Sequence, residues 1–151
     1  MRRYLAAAIA AGLALSACAA PVERTSPEGD PTPKPARSSG ASVRLSKPAN
    51  ESTLPAGDVE LAALVERFRV VDRQFQPPVE GEGHVHFYLD VDELPTTHVR
   101  PGTVEYRSVS RTTYTWPDVP PGEHTFSVQL VGNDHVPLDP AAKDEVKVTV
   151  E

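Results

Sequence analysis

Hydrophobic and polar residues alternate along much of the chain with the period-two spacing of β-strands. The clearest example is the segment 83–91, where one face carries only apolar residues, Val85, Phe87, Leu89 and Val91. The other face carries His84, His86, Tyr88 and Asp90. Strict alternation is typical of a strand in a sheet with one buried face. It predicts that 83–91 is a strand and that its histidine face is exposed.

Shorter runs of the same kind predict further strands. They fall near residues 43–45, 59–65 with a continuation to 71, 103–106, 111–116, 125–131 and 146–150. The run 59–65 also fits an apolar helical stripe, but the strand is favoured because every segment after it has a β pattern. Turn residues separate the runs, as in Pro120-Pro121-Gly122 before the strand at 125–131.

These runs predict the fold class. About seven short strands separated by Gly and Pro turns, within roughly 110 residues, indicate an all-β domain over 42–151. The expected architecture is an immunoglobulin-like antiparallel β-sandwich. A cupredoxin-like barrel would give a similar pattern and stays open at this point.

The first residues have the organisation of a secretory signal peptide. Arg2 and Arg3 precede an apolar stretch from residue 4 to 15, and Leu15-Ser16-Ala17-Cys18 follows. The last four residues resemble the lipobox of bacterial lipoproteins. The resemblance implies cleavage after residue 17 and a diacylglyceryl group on Cys18. The apolar stretch is too short for a membrane-spanning helix, which needs about 20 residues. We therefore expect residues 1–17 to be removed and the protein to lie outside the cytoplasm, anchored to a bacterial membrane by lipid.

Residues 18–41 differ in composition from the rest of the chain. Five prolines fall between residues 21 and 35, and serine and glycine follow at 38–42. Such a segment has little apolar area to bury and is expected to be a disordered or extended tether.

Charge and sulfur content narrow the possible partners. The net charge is −6, and it becomes −8 without the first 17 residues because they hold two arginines and no acidic residue. This charge argues against nucleic acid and against anionic lipid surfaces, and it is compatible with cations. Cys18 is the only cysteine, so no disulfide is expected, and the only methionine is Met1.

Three histidines form a candidate metal site. His84 and His86 project from the same face of one strand about 7 Å apart, so they can share an ion but cannot complete a tetrahedral site. If the strands 83–91 and 125–131 pair antiparallel, His135 falls near this pair. Glu82 and Asp134 would then be close by. The alternative interpretation of the pair is ordinary solvated polar surface.

The other two histidines are not expected to be metal ligands. His124 begins the strand that His135 follows, so the two should sit about 25 Å apart at opposite sheet ends. His124 is interpreted as a hydrogen-bonded turn residue near Asp90 and Asp92, and His98 as a solvated loop residue. The run Asp90-Val91-Asp92-Glu93 could hold calcium, although it lacks the glycine of an EF-hand loop.

The available ligand types limit the metal. Blue copper needs a thiolate and copper(I) favours sulfur, whereas imidazole with carboxylate suits copper(II), zinc or nickel. No nucleophile elbow, phosphate loop, dinucleotide fingerprint or His-Glu-x-x-His run is present. We therefore expect a binding protein and not an enzyme, with copper(II) or zinc as the metal. The alternative is a structural or protein-interaction module at the cell surface that binds no metal.

Three segments also carry a family resemblance. The runs 83–90, 121–126 and 133–138 resemble, in this order, the uncharacterised DUF4399-type secreted domains, with a Gly-His-His-His strand, a Pro-Gly-x-His-Thr strand and a His-x-Pro loop. Val85 stands where that pattern has its middle histidine. The resemblance covers about half of the domain and implies a small extracytoplasmic domain, with no activity assigned.

Overall fold

The computed structural model describes residues 40–99 and 105–151, and every regular element in these ranges is a β-strand. The strands are β1 (Ser42–Lys47), β2 (Ser52–Leu54), β3 (Gly57–Glu66), β4 (Arg69–Val70), β5 (Glu82–Leu89), β6 (Tyr106–Val109), β7 (Thr113–Val119), β8 (Gly122–Gly132) and β9 (Lys143–Val150). The predicted signal peptide, Cys18 and the tether up to residue 39 lie outside the described residues. The described part contains no helix that is long and apolar enough to cross a membrane.

The strands form two sheets of an immunoglobulin-like β-sandwich, as the alternation predicts. One sheet has the order β1-β3-β7. The other has the order β2-β9-β8-β5-β4, and β6 also pairs with β5. The long neighbours are antiparallel, but β2 pairs with β9 and β4 pairs with β5 in parallel. The predicted antiparallel sandwich is confirmed, and these two short strands are its parallel additions.

The core lies between the two sheets. Leu61 of β3 and Trp116 of β7 face Phe87 of β5, Phe126 of β8 and Leu130 of β8, and all five side chains are buried. These are the apolar positions of the alternating runs. Removing such area from water contributes about 25 cal/mol per Å², so this layer stabilises the sandwich.

Nine strands are present among the described residues instead of about seven. The segment 59–65 is a strand, within β3, and not a helix. β2 has three residues, which is too short for alternation to reveal it. The strand predicted at 103–106 begins at Tyr106, and residues 103 and 104 lie outside the described part.

The central strand β5 is buried on both faces, which contradicts the predicted exposure of its histidines. His84 and His86 are each 0% exposed. The segment 71–81 between β4 and β5 folds back towards the sheet. Ser108 donates a hydrogen bond to Gln74 in this segment, at 2.9 Å. The apolar face of β5 is thus covered by the opposite sheet, and its histidine face by chain segments that the alternation does not describe.

Candidate metal centre

The pairing of β5 with β8 brings the two parts of the site together. The register sets His84 opposite Val131 and His86 opposite Gln129. β8 ends at Gly132, beside Gly83 at the start of β5. A side chain on Gly83 would collide with the Val131 carbonyl, so this close approach requires glycine. The chain that leaves β8 therefore turns directly over the start of β5.

A tight turn at 132–136 places the third histidine. The Gly132 amide donates to the Val136 carbonyl at 2.8 Å, and the His135 amide donates to the Gly132 carbonyl at 3.0 Å. His135 adopts φ of 60°, a left-handed conformation in which His, Asn and Asp are enriched among non-glycine residues. Its side chain is 2% exposed, and its ring centre lies 4.4 Å from that of His84.

His84, His86 and His135 form a compact cluster, called here the histidine triad. The Nε2 atoms of His84 and His86 are 3.2 Å apart, and His84 Nε2 lies 3.4 Å from His135 Nδ1. One ring nitrogen of each histidine lies within 4.8 Å of the corresponding nitrogens of the other two. Two nitrogen ligands of a tetrahedral ion are about 3.4 Å apart, because each bond is about 2.1 Å long. Two spacings in the triad therefore match those of bound ligands.

A hydrogen-bond chain fixes the tautomer of His86. Gln129 Nε2 donates to the Pro95 carbonyl at 3.1 Å, which leaves Gln129 Oε1 to accept from the Tyr88 hydroxyl at 3.0 Å. The Tyr88 oxygen can then accept from His86 Nδ1, 3.3 Å away. His86 thus carries its proton on Nδ1 and presents the lone pair of Nε2 to the triad. Such an outer hydrogen bond is what orients histidine ligands in metal sites.

The protein alone does not satisfy every ring nitrogen of the triad. His84 Nδ1 and His135 Nε2 are buried and have no hydrogen-bond partner among the described residues. Leaving a buried polar atom unpaired costs about 1–3 kcal/mol. These two atoms are on the opposite side of each ring from the nitrogens that converge, His84 Nε2 and His135 Nδ1, so an ion bound between the rings would not be their partner.

Burial keeps the triad neutral at physiological pH. Loss of solvation, reinforced by His135, lowers the pKa of His84 to about 3. Loss of solvation also lowers the pKa of His86 well below its usual value, with added effects from the neighbouring histidines. The pKa of His135 is lowered by burial and by His98, against the opposing charge of Asp134. Neutral imidazole is the form that binds metal.

Aromatic rings close the triad from the outside. Phe75 stacks on His135, with ring centres 4.3 Å apart and planes 22° apart. The ring of Tyr106 lies against that of His86, with ring centres 4.7 Å apart. Phe75 itself has φ of 62°, an uncommon conformation for a bulky residue, and its side chain is 71% exposed. The rings lower the polarity around the triad and restrict the access of water.

Glu82 lies at the start of β5, as expected, but it is engaged with other partners. Its carboxylate accepts from Asn133 Nδ2 at 3.1 Å and pairs with Arg73 at 3.1 Å and with Arg69. The Asn133 hydrogen bond, followed by the two arginines, lowers the pKa of Glu82 against the opposing effect of burial. Glu82 is therefore a charged anchor of the β4–β5 end and lies outside the triad.

His124 forms the hydrogen bonds predicted for a turn residue, and His98 is an exposed loop residue. His124 lies at the other end of β8, with Nδ1 2.8 Å from Asp90 Oδ2 and Nε2 2.9 Å from the Pro120 carbonyl. The second oxygen of Asp90 accepts from the Thr125 amide at 2.8 Å, so this carboxylate has a structural role at the turn. His98 is exposed, and its Nδ1 lies 2.9 Å from the Asp134 carbonyl.

Several site residues were not recognised in the sequence. Tyr88 and Gln129 order His86, and Phe75 covers His135. Alternation places Tyr88 on the histidine face, and Gln129 falls between the core residues Val128 and Leu130, so a signal for these two was present. Phe75 gives no such signal, because it lies in a segment without periodicity.

Comparisons with known proteins add little to this description. No protein-family model matches the chain, and no curated protein matches it. Among solved structures, an engineered protein aligns with a TM-score of 0.45 and 11% identity over 74% of this chain, which spans 20% of that protein. The PKD domain of human KIAA0319 aligns with a TM-score of 0.39 and 21% identity, over 82% of this chain and 90% of that domain. The fold assignment rests on the strands and their pairing.

Proposed function

We propose that this chain is a membrane-anchored extracytoplasmic lipoprotein that binds a divalent transition metal, copper(II) or zinc, through His84, His86 and His135. The observation that carries the metal-binding part is the convergence of three buried, neutral ring nitrogens within 4.8 Å. The anchoring part is supported by the lipobox-like run that ends in Cys18.

The donor set favours these metals for a chemical reason. Three imidazoles without sulfur suit copper(II), zinc or nickel, and at a given nitrogen site copper(II) binds more tightly than zinc. Because the ligands are already deprotonated, the metal does not compete with protons near neutral pH. The role is binding or delivery of the ion, and no catalytic residue is assigned.

A metal titration by calorimetry tests this function. The full, unlipidated chain in detergent, carrying Cys18→Ser so that an unmodified Cys18 thiol cannot bind metal, is titrated with copper(II) and with zinc. We expect a dissociation constant of about 1 μM or lower, with copper(II) bound more tightly than zinc. The double variant His84→Ala/His86→Ala should lose this binding.

His124→Ala is the matched control, because it removes a hydrogen-bonded histidine at the other end of the same sheet. It should bind as the parent does. A second double variant, His84→Phe/His86→Phe, keeps two rings in place and separates loss of ligands from loss of packing. No binding by the parent, or equal binding by all variants, would remove the metal function.

The second candidate function is a cell-surface interaction module that binds no metal. One observation favours it: the segment 71–81 exposes Phe75 and Val79, at 71% and 44%. Contiguous exposed apolar patches are typical of protein contact sites, and these two side chains belong to one short segment. A folded domain that is indifferent to metal in the titration above would support this function.

A further inference from the structure

Three neutral imidazoles occupy three of the four coordination positions of a tetrahedral ion, so the proposed metal site needs a fourth ligand. Structural zinc sites are closed by four protein ligands, whereas sites with three keep water or a substrate in the fourth position. The identity of this ligand therefore decides whether the bound ion is sealed or reactive. Glu82 and His124 are held by other partners, as described above.

The segment 95–99 is fastened to the edge of the triad. The Pro95 carbonyl accepts from Gln129, the side chain that orients Tyr88. The Val99 amide donates to the carbonyl of His135 at 3.2 Å, and Val99 is 2% exposed. Both ends of this short segment are thus joined to residues of the site, and His98 lies between them.

The hydrogen bond of His98 leaves its other ring nitrogen available. A carbonyl oxygen can only accept, so Nδ1 of His98 carries the hydrogen that bonds to the Asp134 carbonyl, at 2.9 Å. In the neutral ring, Nε2 then holds the lone pair. A histidine that donates one ring N–H to a backbone carbonyl has the arrangement typical of metal ligands.

His98 lies close to one ring of the triad. Imidazoles bound to one tetrahedral ion have ring centres roughly 5 Å apart, given bonds of about 2.1 Å. Within the triad the ring centres are 5.0, 4.4 and 5.2 Å apart. The His98 ring lies 6.1 Å from that of His135. The ring centres of His98 and His135 would have to approach by about 1 Å to reach that spacing, and His98 would also have to reach a similar spacing from His84 and His86.

We propose that His98 is the fourth ligand, and that it closes on the ion to give a sealed four-imidazole site. This inference rests on the proposed metal binding by the triad. A four-imidazole site would bind the ion without catalysis, since no coordination position is left for water or a substrate. The segment 95–99 would become more ordered when metal binds.

X-ray absorption at the zinc edge tests this inference. The full chain in detergent, again with Cys18→Ser, is loaded with one equivalent of zinc and compared with its His98→Ala and His124→Ala variants. We expect four imidazole ligands in the parent and in His124→Ala. His98→Ala should show three imidazoles and one oxygen, with zinc affinity lowered at least tenfold.

The outcomes separate this inference from the function beneath it. Three imidazoles in the parent, with equal zinc affinity in His98→Ala and His124→Ala, would overturn the role of His98 and leave the triad as the metal site. Absence of zinc binding by the parent would overturn both proposals. Circular dichroism of each variant establishes that the strands are intact, so loss of binding is not confused with unfolding.

Discussion

The two faces of β5 are equally buried but differ in what buries them. Val85 and Phe87 point into the sandwich, where Phe87 packs near Tyr114 of the opposite sheet, with ring centres 6.3 Å apart. His84 and His86 point the other way, beneath a turn and a loop segment. All four side chains are 0% exposed. Burial alone therefore does not distinguish a core face from a site face.

The free-energy contributions of the two faces have opposite signs. Burial of apolar side chains stabilises the fold by about 1.5–3 kcal/mol each. Burial of a polar group without a full set of hydrogen bonds costs free energy, and two nitrogens of the triad lack a partner. The apolar face thus holds the sandwich together, while the histidine face is a local cost.

The largest expected effect comes from removing Phe87. Phe87→Ala opens a cavity in the core and should lower the free energy of unfolding by about 3–5 kcal/mol. His86→Phe keeps a ring of similar size on the other face and should change it by less than about 1.5 kcal/mol. Urea unfolding followed by tryptophan fluorescence measures both. Equal destabilisation by the two variants would show that both faces carry the fold.

The next effect is a dependence of stability on pH. The folded state lowers the pKa of His84 to about 3, whereas the unfolded chain takes up the proton near pH 6.5. The unfolded state therefore binds more protons below pH 6.5, and stability falls as the pH falls towards 3. Between pH 7 and 5, His84 alone should account for about 2 kcal/mol. His86 and His135 act in the same direction.

Unfolding in urea at pH 7, 6 and 5 checks this slope. The range stays above the usual pKa of glutamate, so Glu82 does not contribute to it. The variant His84→Phe should be less sensitive to pH than the parent, because the buried proton acceptor is gone. The same slope in both proteins would contradict the assigned burial of a neutral His84.

The smallest effect concerns the outer hydrogen bond. Tyr88→Phe removes the acceptor for His86 Nδ1 and the donor to Gln129, and should cost about 1 kcal/mol of stability. Zinc affinity should fall about tenfold, because the His86 ring is no longer held in one tautomer. Tyr106→Phe, which keeps a ring against His86, is the control. Calorimetry that gives one affinity for both variants would exclude an ordering role for Tyr88.

Alternation in the sequence predicted the strands and the side of β5 on which the histidines lie. It also predicted the place of His135, because antiparallel pairing of two strands sets the end of one beside the start of the other. Both inferences follow from backbone geometry, that is, from the two-residue period of a strand and the antiparallel direction of its neighbour. The side chains of the loops do not affect either inference.

The covering of the histidine face could not be predicted in the same way. Phe75 and Gln74 belong to a segment that is held by single side-chain contacts, such as those to Ser108 and to His135. Such contacts leave no periodic signal in the sequence. Alternation indicates that the two faces of a strand differ in polarity, but it does not distinguish an exposed polar face from a buried one such as that of β5.

Nitrogen NMR of the histidine rings, before and after addition of zinc, tests the central claim most directly. We expect His86 of the metal-free protein to be protonated on Nδ1. We also expect zinc to shift the resonance of one ring nitrogen in each of His84, His86 and His135, while the resonances of the His124 ring stay unchanged. Unchanged triad signals in excess zinc, or shifts confined to His124, would contradict the claim that the histidine triad is a metal site.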